Sequence, residues 1–320
     1  MYATPQTTLR DPVAIVGAGS IGVAFAIVFT RAGHPVRLYD PDAQMRTNAP
    51  ATLLARANDL AAAGLLDETP DALVARLLVT GDLAVAAQGV ALVIECAPER
   101  VDIKQALFTE LDRLTPPDAI LASASSALPA SRYAADLPGR GRCLVAHPGN
   151  PPYLIPVIEI VPAPFTDPAA ADRAQALFAA AGMLPIRVGK EVEGFVFNRL
   201  QGAILREAYC LVRDGVASVA DIDTVVREGL GMRWSLIGPF ETVDLNTRGG
   251  IASHAQKMGP AYERMGAERG QHDPWTPELV AKVDAERRAQ LPLDAWEDRV
   301  AWRDRALMRL VAARRKPPAD

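Results

Sequence analysis

The sequence predicts an α/β protein in which a doubly wound, mainly parallel sheet is followed by an all-helical C-terminal domain. Short apolar segments of strand length alternate with helical segments up to Lys190. Beyond that residue the strand signals nearly vanish, while helical spacing continues. A chain of 320 residues also exceeds the ~100–200 residues of one typical domain. We therefore expect two domains, residues 1–190 and residues 191–320.

The first elements form a βαβ unit. Residues 12–16 are a short apolar run that ends at Gly17, which is typical of a buried strand. A helical segment, residues 20–31, follows and ends before Gly33, and residues 36–40 predict a second strand. A crossover of this kind joins strands that run parallel in one sheet.

The alternation of strands and helices continues along the chain. Further strands are predicted at residues 91–95, 119–123, 142–146, 157–161 and 185–188. Helices are predicted at residues 51–63, 104–114 and 170–181, then at 196–213, 219–228 and in long stretches between 278 and 315. The alternating part is typical of a doubly wound sheet, and the later part predicts the helical domain.

A glycine pattern, G-x-G-x-x-G, lies between the first strand and the first helix, at residues 17–22. Gly17 permits the tight turn, Gly19 lets the backbone approach a pyrophosphate, and Gly22 lets the helix pack closely on the strand. A glycine turn that serves packing alone is the alternative. The strand before the pattern and the helix after it favour a dinucleotide site.

The surroundings of this pattern indicate the cofactor. The amides of Ser20 and Ile21, at the amino end of the first helix, are expected to stabilise the phosphate charge. Asp40 ends the second strand, where a carboxylate accepts hydrogen bonds from the adenosine ribose and repels a 2′-phosphate. Since no arginine directly follows Asp40, the sequence predicts a Rossmann-type site for NAD rather than NADP.

A histidine at the end of a predicted strand is the candidate proton acceptor. His147 follows residues 142–146 and opens a loop stiffened by prolines, at the sheet edge where α/β proteins bind ligands. Glu159 lies among apolar neighbours, and an unpaired buried carboxylate is costly, so a His147–Glu159 pair is expected. The alternation does not say which way Glu159 faces. A structural histidine and an edge-strand glutamate are the alternative.

Other nucleophile candidates carry weaker signals. The serines at positions 123, 125 and 126 lie at a strand end but outside a G-x-S-x-G elbow, so we expect hydrogen-bonding roles for them. Cys96 and Cys143 lie in predicted core strands and Cys210 in a helix, where inert packing is expected. Their lack of a CxxC pattern suits a reducing compartment.

Composition narrows the class of partner. The net charge is −4, from 34 basic and 38 acidic residues, which disfavours a nucleic-acid or anionic-membrane partner. The apolar runs are shorter than the ~18 residues of a membrane span, and the first residues lack a signal pattern. We therefore expect a cytoplasmic protein with a small-molecule substrate. With only four histidines, a multi-histidine metal site is disfavoured. His254 and His272 lie in polar stretches and are expected to be solvated.

The motifs together resemble the 3-hydroxyacyl-CoA dehydrogenase superfamily over nearly the whole chain. They are the glycine pattern, residues 95–99, the serine cluster, residues 147–151, Glu159 and residues 194–199. Within that superfamily the chain most resembles the lambda-crystallin / L-gulonate 3-dehydrogenase branch. The segments that indicate the branch are residues 146–162, 228–234, 237–239, 302–304 and 307–310.

The resemblance implies roles for particular residues. His147 would be the general base and Glu159 its partner, while Ser126 and Asn198 would hold the reacting oxygen of the substrate. Cofactor contacts are implied for Asn150 near the nicotinamide and for Glu99 and Lys104 on the ribose side. Ala124 departs from the family pattern, which has Asn there. The resemblance also implies a homodimer joined through the helical domain.

The substrate is open to three interpretations. Residues 40–82 contain no lysine and only the arginines at 46, 56 and 76, which disfavours a strong grip on a CoA thioester. Arg233 is suited to bind the carboxylate of a small 3-hydroxy acid, or it is a surface arginine paired with Glu228 or Glu241. A dehydrogenase of free 3-hydroxy acids, with L-gulonate the leading candidate, therefore stands beside a 3-hydroxyacyl-CoA dehydrogenase and a crystallin-type structural protein.

Overall fold

The computed structural model describes residues 10–235, 238–246 and 250–270, together with single positions between 278 and 313. Two compact units are found, one formed by residues up to Arg199 and from position 300 onward, the other by positions 200–299. This division differs from the predicted boundary at residue 190. Phe195 is fully buried in the core of the first unit, and Met308 is also buried there, with 2% of its surface exposed.

The first unit contains one eight-stranded sheet. Its strands are β1 (Val13–Val16), β2 (Val36–Tyr39), β3 (Leu77–Thr80), β4 (Leu92–Glu95), β5 (Ile120–Ser123), β6 (Cys143–Pro148), β7 (Val157–Pro162) and β8 (Leu184–Arg187). Their order is β3-β2-β1-β4-β5-β6-β7-β8. The β6–β7 pair is antiparallel and the other pairs are parallel. The predicted mainly parallel, doubly wound sheet is confirmed.

Helices follow the strands and fill the second unit. They are α1 (Ser20–Arg31), α2 (Ala43–Ala62), α3 (Pro70–Ala75), α4 (Leu83–Ala87), α5 (Val101–Leu114), α6 (Pro168–Ala180), α7 (Phe197–Arg213), α8 (Val219–Thr224), α9 (Gly231–Trp234), α10 (Pro239–Asn246) and α11 (Gly250–Arg269). A π-helical segment, Val225–Leu230, joins α8 to α9. Most of the helical stretch predicted between 278 and 315 lies outside the described residues, as does His272.

Helix α2 begins eight residues before the predicted start at residue 51. The Asp42 carboxylate accepts hydrogen bonds from the backbone N–H groups of Gln44 and Met45, at 2.7 and 3.3 Å. Such a cap satisfies donors that a helix cannot pair internally, so it fixes the first turn. None of the helices in the described ranges has the length and apolar character needed to cross a membrane.

The core lies on both faces of the sheet. Val13 and Ile15 of β1 pack into one apolar cluster with residues of α1, α2 and α6. Ala14 and Val16 point to the opposite face and pack with residues of α5. Helices therefore cover both faces, and the loops at the carboxyl ends of the parallel strands remain as the place where a ligand can bind.

Candidate active site

A cavity of about 620 Å³ opens at the carboxyl ends of β1, β2 and β4. It is lined by the glycine loop, by the end of β2, by the segment after β4 and by one face of α5. Cys96 lies directly after β4 and lines this cavity, so its predicted place inside a core strand is wrong by one position. Burial raises the pKa of the Cys96 thiol well above its ordinary value, which keeps the thiol protonated.

The glycine loop has the geometry that a dinucleotide pyrophosphate requires. A Cβ on Gly17, at φ 113°, would lie 2.8 Å from the Cys96 carbonyl oxygen, and one on Gly22 would lie 1.8 Å from the Gly17 carbonyl oxygen. A Cβ on Gly19 would meet nothing within 4 Å. Gly17 and Gly22 are therefore needed for close packing, whereas Gly19 leaves space beside the amino end of α1 for a phosphate.

Asp40 connects the end of β2 to the glycine loop. Its Oδ2 accepts a hydrogen bond from the Ala18 amide at 2.7 Å, and its Oδ1 accepts one from the Asp42 amide at 2.9 Å. Each oxygen retains a lone pair for a ribose hydroxyl. Arg46 donates to the Asp40 and Pro41 carbonyl oxygens, at 2.8 Å each, so it stabilises this turn. The residues present thus fit a dinucleotide without a 2′-phosphate.

His147 and Glu159 lie opposite each other on the antiparallel strands β6 and β7. The His147 Nδ1 is 2.7 Å from the Glu159 Oε2. His147 is 5% exposed and Glu159 is fully buried. The expected pair is therefore present, and Glu159 faces the histidine. The bond places the ring proton on Nδ1 and leaves the Nε2 lone pair to accept a proton.

The second oxygen of Glu159 binds the start of α7. Oε1 accepts hydrogen bonds from the backbone N–H groups of Val196 and Phe197, at 2.7 and 3.0 Å. Burial alone raises the pKa of Glu159, but the hydrogen bonds from His147 and from these two amides outweigh it and hold the pKa below its ordinary value. Glu159 is therefore ionised at neutral pH, and its charge lies at the positive end of a helix.

A strained residue directs these amides. Phe195 has φ 48°, which is uncommon for a residue with a side chain. Its fully buried ring lies 5.6 Å from the His147 ring, centroid to centroid. The conformation turns the chain into α7 so that the next two amides face Glu159. Strain of this kind is retained where the surrounding packing enforces it.

Two further predicted site residues meet near this turn. Asn198 lies in the first turn of α7, and its Nδ2 donates to the Ser126 backbone oxygen at 3.3 Å. Ser126 is exposed in the loop after β5. Since Asn198 directly follows Phe197, the chain links the His147–Glu159 pair to Ser126 through the first turn of α7. The structure thus brings the four predicted catalytic residues to one region.

A buried charge cluster lies beside them. The Lys104 Nζ is 2.9 and 2.8 Å from the two Glu95 carboxylate oxygens and 3.5 Å from the Glu99 Oε2. Lys104 is 1% exposed and Glu95 is fully buried. The predicted contact between Lys104 and a ribose stays a prediction. The burial of Lys104 and its ion pair with Glu95 do not favour it. Sequence reasoning missed Glu95, although its position at the end of β4 was a signal.

Two other predicted site residues, Asn150 and Arg233, are exposed. Asn150 is exposed in the loop after β6, where a cis peptide bond joins it to Pro151. Arg233 is exposed on α9 of the second unit. Glu228, one of its two considered partners, is paired with Arg227. The roles of Asn150 and Arg233 stay predictions.

The other described histidines have local contacts of their own. His34 is buried, and its Nδ1 donates to the Asp11 carbonyl oxygen at 2.8 Å. Burial lowers the pKa of His34 below its ordinary value, so it is neutral at pH 7. His254 lies on α11, with its ring 6.1 Å from that of Tyr262.

The chain matches family models and known proteins over most of its length. Residues 12–192 match the family model described as 3-hydroxyacyl-CoA dehydrogenase, NAD binding domain, and residues 194–291 match that of the C-terminal domain. The chain is 38% identical to the lambda-crystallin homolog of Bos taurus, over 99% of each protein. It is 37% identical to L-carnitine dehydrogenase of Streptomyces griseus, over 82% of this chain and 76% of that protein.

A solved structure resembles the fold of the whole chain. It is that of 5-formyl-3-hydroxy-2-methylpyridine 4-carboxylic acid 5-dehydrogenase, an NAD⁺-dependent dismutase, with a TM-score of 0.79 and 28% identity. The match covers 96% of this chain and all of the other. With its NAD-binding domain at residues 12–192, the chain belongs to the 3-hydroxyacyl-CoA dehydrogenase family of NAD-dependent oxidoreductases.

Proposed function

We propose that this enzyme oxidises the 3-hydroxyl group of a small L-3-hydroxy acid, similar to L-gulonate, to the 3-keto acid, with His147 as the general base. The observation that carries the proposal is the 2.7 Å contact between His147 Nδ1 and the buried Glu159 carboxylate. A histidine held in this way presents one basic nitrogen in a fixed direction. Secondary alcohol oxidation needs such a base, with a pKa close to the working pH.

The proton transfer follows from this arrangement. His147 Nε2 takes the proton of the substrate hydroxyl, and the positive charge that forms on the ring is stabilised by the Glu159 carboxylate. Glu159 does not itself become protonated, because its two amide donors and the histidine all favour its ionised form. NAD, when bound, supplies the hydride acceptor.

Ser126 and Asn198 position the reacting oxygen. Both have side chains able to donate a hydrogen bond to an oxygen, and the Asn198 amide already contacts the Ser126 backbone. We propose that Asn150 lies near the nicotinamide, a role that the family resemblance supports. In this proposal Ser126 and Asn198 hold the substrate hydroxyl towards His147, so that the proton moves over a short distance.

A free acid suits the arginines of the first unit better than a CoA thioester. Arg46 binds backbone oxygens of the β2 turn, Arg56 binds Ser20 at 3.2 Å, and Arg76 is paired with Glu68 at 2.6 Å. These arginines have local partners, and no lysine occurs between residues 40 and 82. Two similar proteins are named for small carboxylic acids, L-carnitine and a pyridine carboxylic acid.

Arg233 is the residue that we propose for the substrate carboxylate. A guanidinium binds a carboxylate through two parallel hydrogen bonds, and the Arg233 side chain is exposed. Arg233→Met should therefore raise KM for a free acid by about tenfold or more, since a charge-assisted pair contributes about 1.5–3 kcal/mol. Steady-state kinetics of NAD reduction measure this effect. An unchanged KM would exclude Arg233 from carboxylate binding.

A substrate panel tests the proposed reaction. NAD reduction is measured with L-gulonate, 3-hydroxybutyrate, carnitine and 3-hydroxybutyryl-CoA at equal concentrations. We expect a free acid to have the highest kcat/KM. Because of the family to which the chain belongs, the CoA thioester is the second candidate substrate. If only this thioester is oxidised, the proposal of a free acid is wrong and the enzyme is a 3-hydroxyacyl-CoA dehydrogenase. A crystallin-type structural role would show as no turnover of any of the four.

We also propose that the chain forms a homodimer in the cytoplasm. Large apolar side chains are exposed in the second unit, including Phe240 at 80% and Met232 at 61%, and a partner would cover them. Cys96, Cys143 and Cys210, all of them described, form no disulfide, which suits a reducing compartment. Light scattering of the purified chain should give twice the chain mass, and the monomer mass would contradict the dimer.

A further inference from the structure

The Glu99 carboxylate binds the loop that carries Ser126. The residues on both sides of Ser126 are bound to the Glu99 Oε1: Ser125 through its hydroxyl at 2.5 Å, and Ala127 and Leu128 through their backbone N–H groups at 2.9 and 3.1 Å. Ser126 itself is exposed. The position of Ser126 therefore depends on where Glu99 places its neighbours.

A buried cluster fixes this carboxylate in turn. The Lys104 ammonium lies between two acids, bound to both oxygens of Glu95 and 3.5 Å from the Glu99 Oε2. Glu95 also accepts a hydrogen bond from the Ser123 hydroxyl at 2.5 Å, and the Ser123 oxygen accepts one from the Ser125 amide at 3.2 Å. Both ends of the loop are thus held by one set of charges.

The same cluster reaches the cofactor cavity. Glu95 Oε1 accepts a hydrogen bond from the Ala97 amide at 2.7 Å, and Ala97 and Pro98 line the cavity. On the other side of the loop, Asn198 donates to the Ser126 backbone oxygen. The Ser126 loop is therefore hydrogen-bonded both to Glu95 and Glu99, at the end of β4 and in the segment that follows it, and to the first turn of α7.

Glu99 is ionised in this arrangement. Partial burial raises its pKa, but the hydrogen bonds from Ser125, Ala127 and Leu128 and the charge of Lys104 have the larger combined effect and hold the pKa below its ordinary value. Hydrogen bonds to an ionised acceptor are about twice as strong as neutral ones. The loop contacts are therefore strong enough to restrict where Ser126 lies.

We propose that Glu99 is a positioning residue for the substrate, which holds the Ser123–Leu128 loop so that Ser126 meets the substrate hydroxyl. Lys104 and Glu95 keep the Glu99 carboxylate in place. This role differs from a simple contact between Glu99 and the cofactor's ribose, because it acts on the substrate through Ser126. The inference rests on the proposed function, since it assumes that Ser126 binds the reacting hydroxyl.

A double-mutant cycle of Glu99→Gln and Ser125→Ala tests the role in the full chain. Each single variant should lower kcat/KM for the hydroxy acid by about tenfold, the effect of losing a charge-assisted hydrogen bond, mainly through KM. The double variant should lose less than the product of the two single losses, because both changes remove the Ser125–Glu99 hydrogen bond. The Kd for NAD should stay within about twofold. Glu110→Gln, on the exposed face of α5, is the matched control and should leave all constants unchanged.

The position of the loop can also be measured without turnover. Amide hydrogen exchange at Ala127 and Leu128 should be faster in Glu99→Gln than in the wild type. If the wild type oxidises none of the panel acids, the proposed function fails, while faster exchange still supports the loop contact. Unchanged exchange in Glu99→Gln would overturn the inference. A tenfold higher Kd for NAD with an unchanged KM for the hydroxy acid would overturn it as well, and so would fully additive losses of kcat/KM in the double-mutant cycle.

Discussion

At the scale of single residues, Glu159 has two structural partners that are separate in the sequence. One oxygen binds the ring of His147, and the other accepts the amides of Val196 and Phe197. The identity of Glu159 as a candidate could be predicted, since a carboxylate among apolar neighbours needs a partner. Its contact with the two amides at the start of α7 could not be predicted. That contact depends on the positive φ of Phe195 and on the segment before α7 packing against β7.

Glu159→Gln should show a pH-dependent loss of stability. The pKa of Glu159 lies below its ordinary value in the folded chain, so folding favours the ionised form. The stabilisation is complete above the ordinary carboxyl pKa of about 4.3 and is lost as the pH falls through the lower folded value. Urea unfolding at neutral pH should show the variant to be less stable by about 1–3 kcal/mol. A difference that does not shrink in acid would contradict this role.

At the scale of elements, local signals predicted most of the sheet and its helices. Helix α1 has the predicted bounds, 20–31, and β1, β2, β4 and β5 differ from prediction by one residue at an end. Strand β3, whose sequence is Leu-Leu-Val-Thr, was not predicted because its apolar run is only three residues long; it lies at the sheet edge and is partly exposed. The Glu95–Lys104 pair escaped because it depends on how α5 packs beside β4, which no local pattern encodes.

Two glycine substitutions in the loop before α1 should have different effects. A methyl group at Gly22 would collide with the Gly17 backbone, so Gly22→Ala should lower Tm and abolish NAD binding. A methyl group at Gly19 meets no protein atom, so Gly19→Ala should keep the wild-type Tm while weakening NAD binding by about tenfold, or 1.4 kcal/mol. Thermal scans and NAD titrations measure both. Wild-type NAD affinity in Gly19→Ala would place the pyrophosphate elsewhere.

At the scale of the whole molecule, the division into units differs from a simple cut along the chain. Length and composition predicted two parts, and the described residues form two compact units. The predicted boundary at residue 190 lies close to the border between the two matching family models, at residues 192–194, whereas positions after 300 group with the first unit. That assignment depends on burial of Met308 in the core of the sheet domain, which is a contact between distant parts of the sequence.

Met308→Ala should destabilise the first unit. The side chain is 2% exposed in the main apolar core, and truncating a buried methionine costs about 2–5 kcal/mol. Leu78→Ala is the control, because Leu78 is 50% exposed on the edge strand β3 and its loss should cost about 0.5 kcal/mol. Denaturant unfolding followed by far-UV circular dichroism compares the two. Equal losses would show that the C-terminal segment does not stabilise the core.

The turnover of His147→Gln with the best acid of the panel tests the central claim most directly. A positioned general base contributes about 10²–10⁴-fold, so kcat should fall at least a hundredfold. The Kd for NAD should change by less than about twofold, because the glycine loop and Asp40 are separate from His147. Oxidation close to the wild-type rate, with NAD still bound, would contradict the assignment of His147 as the base.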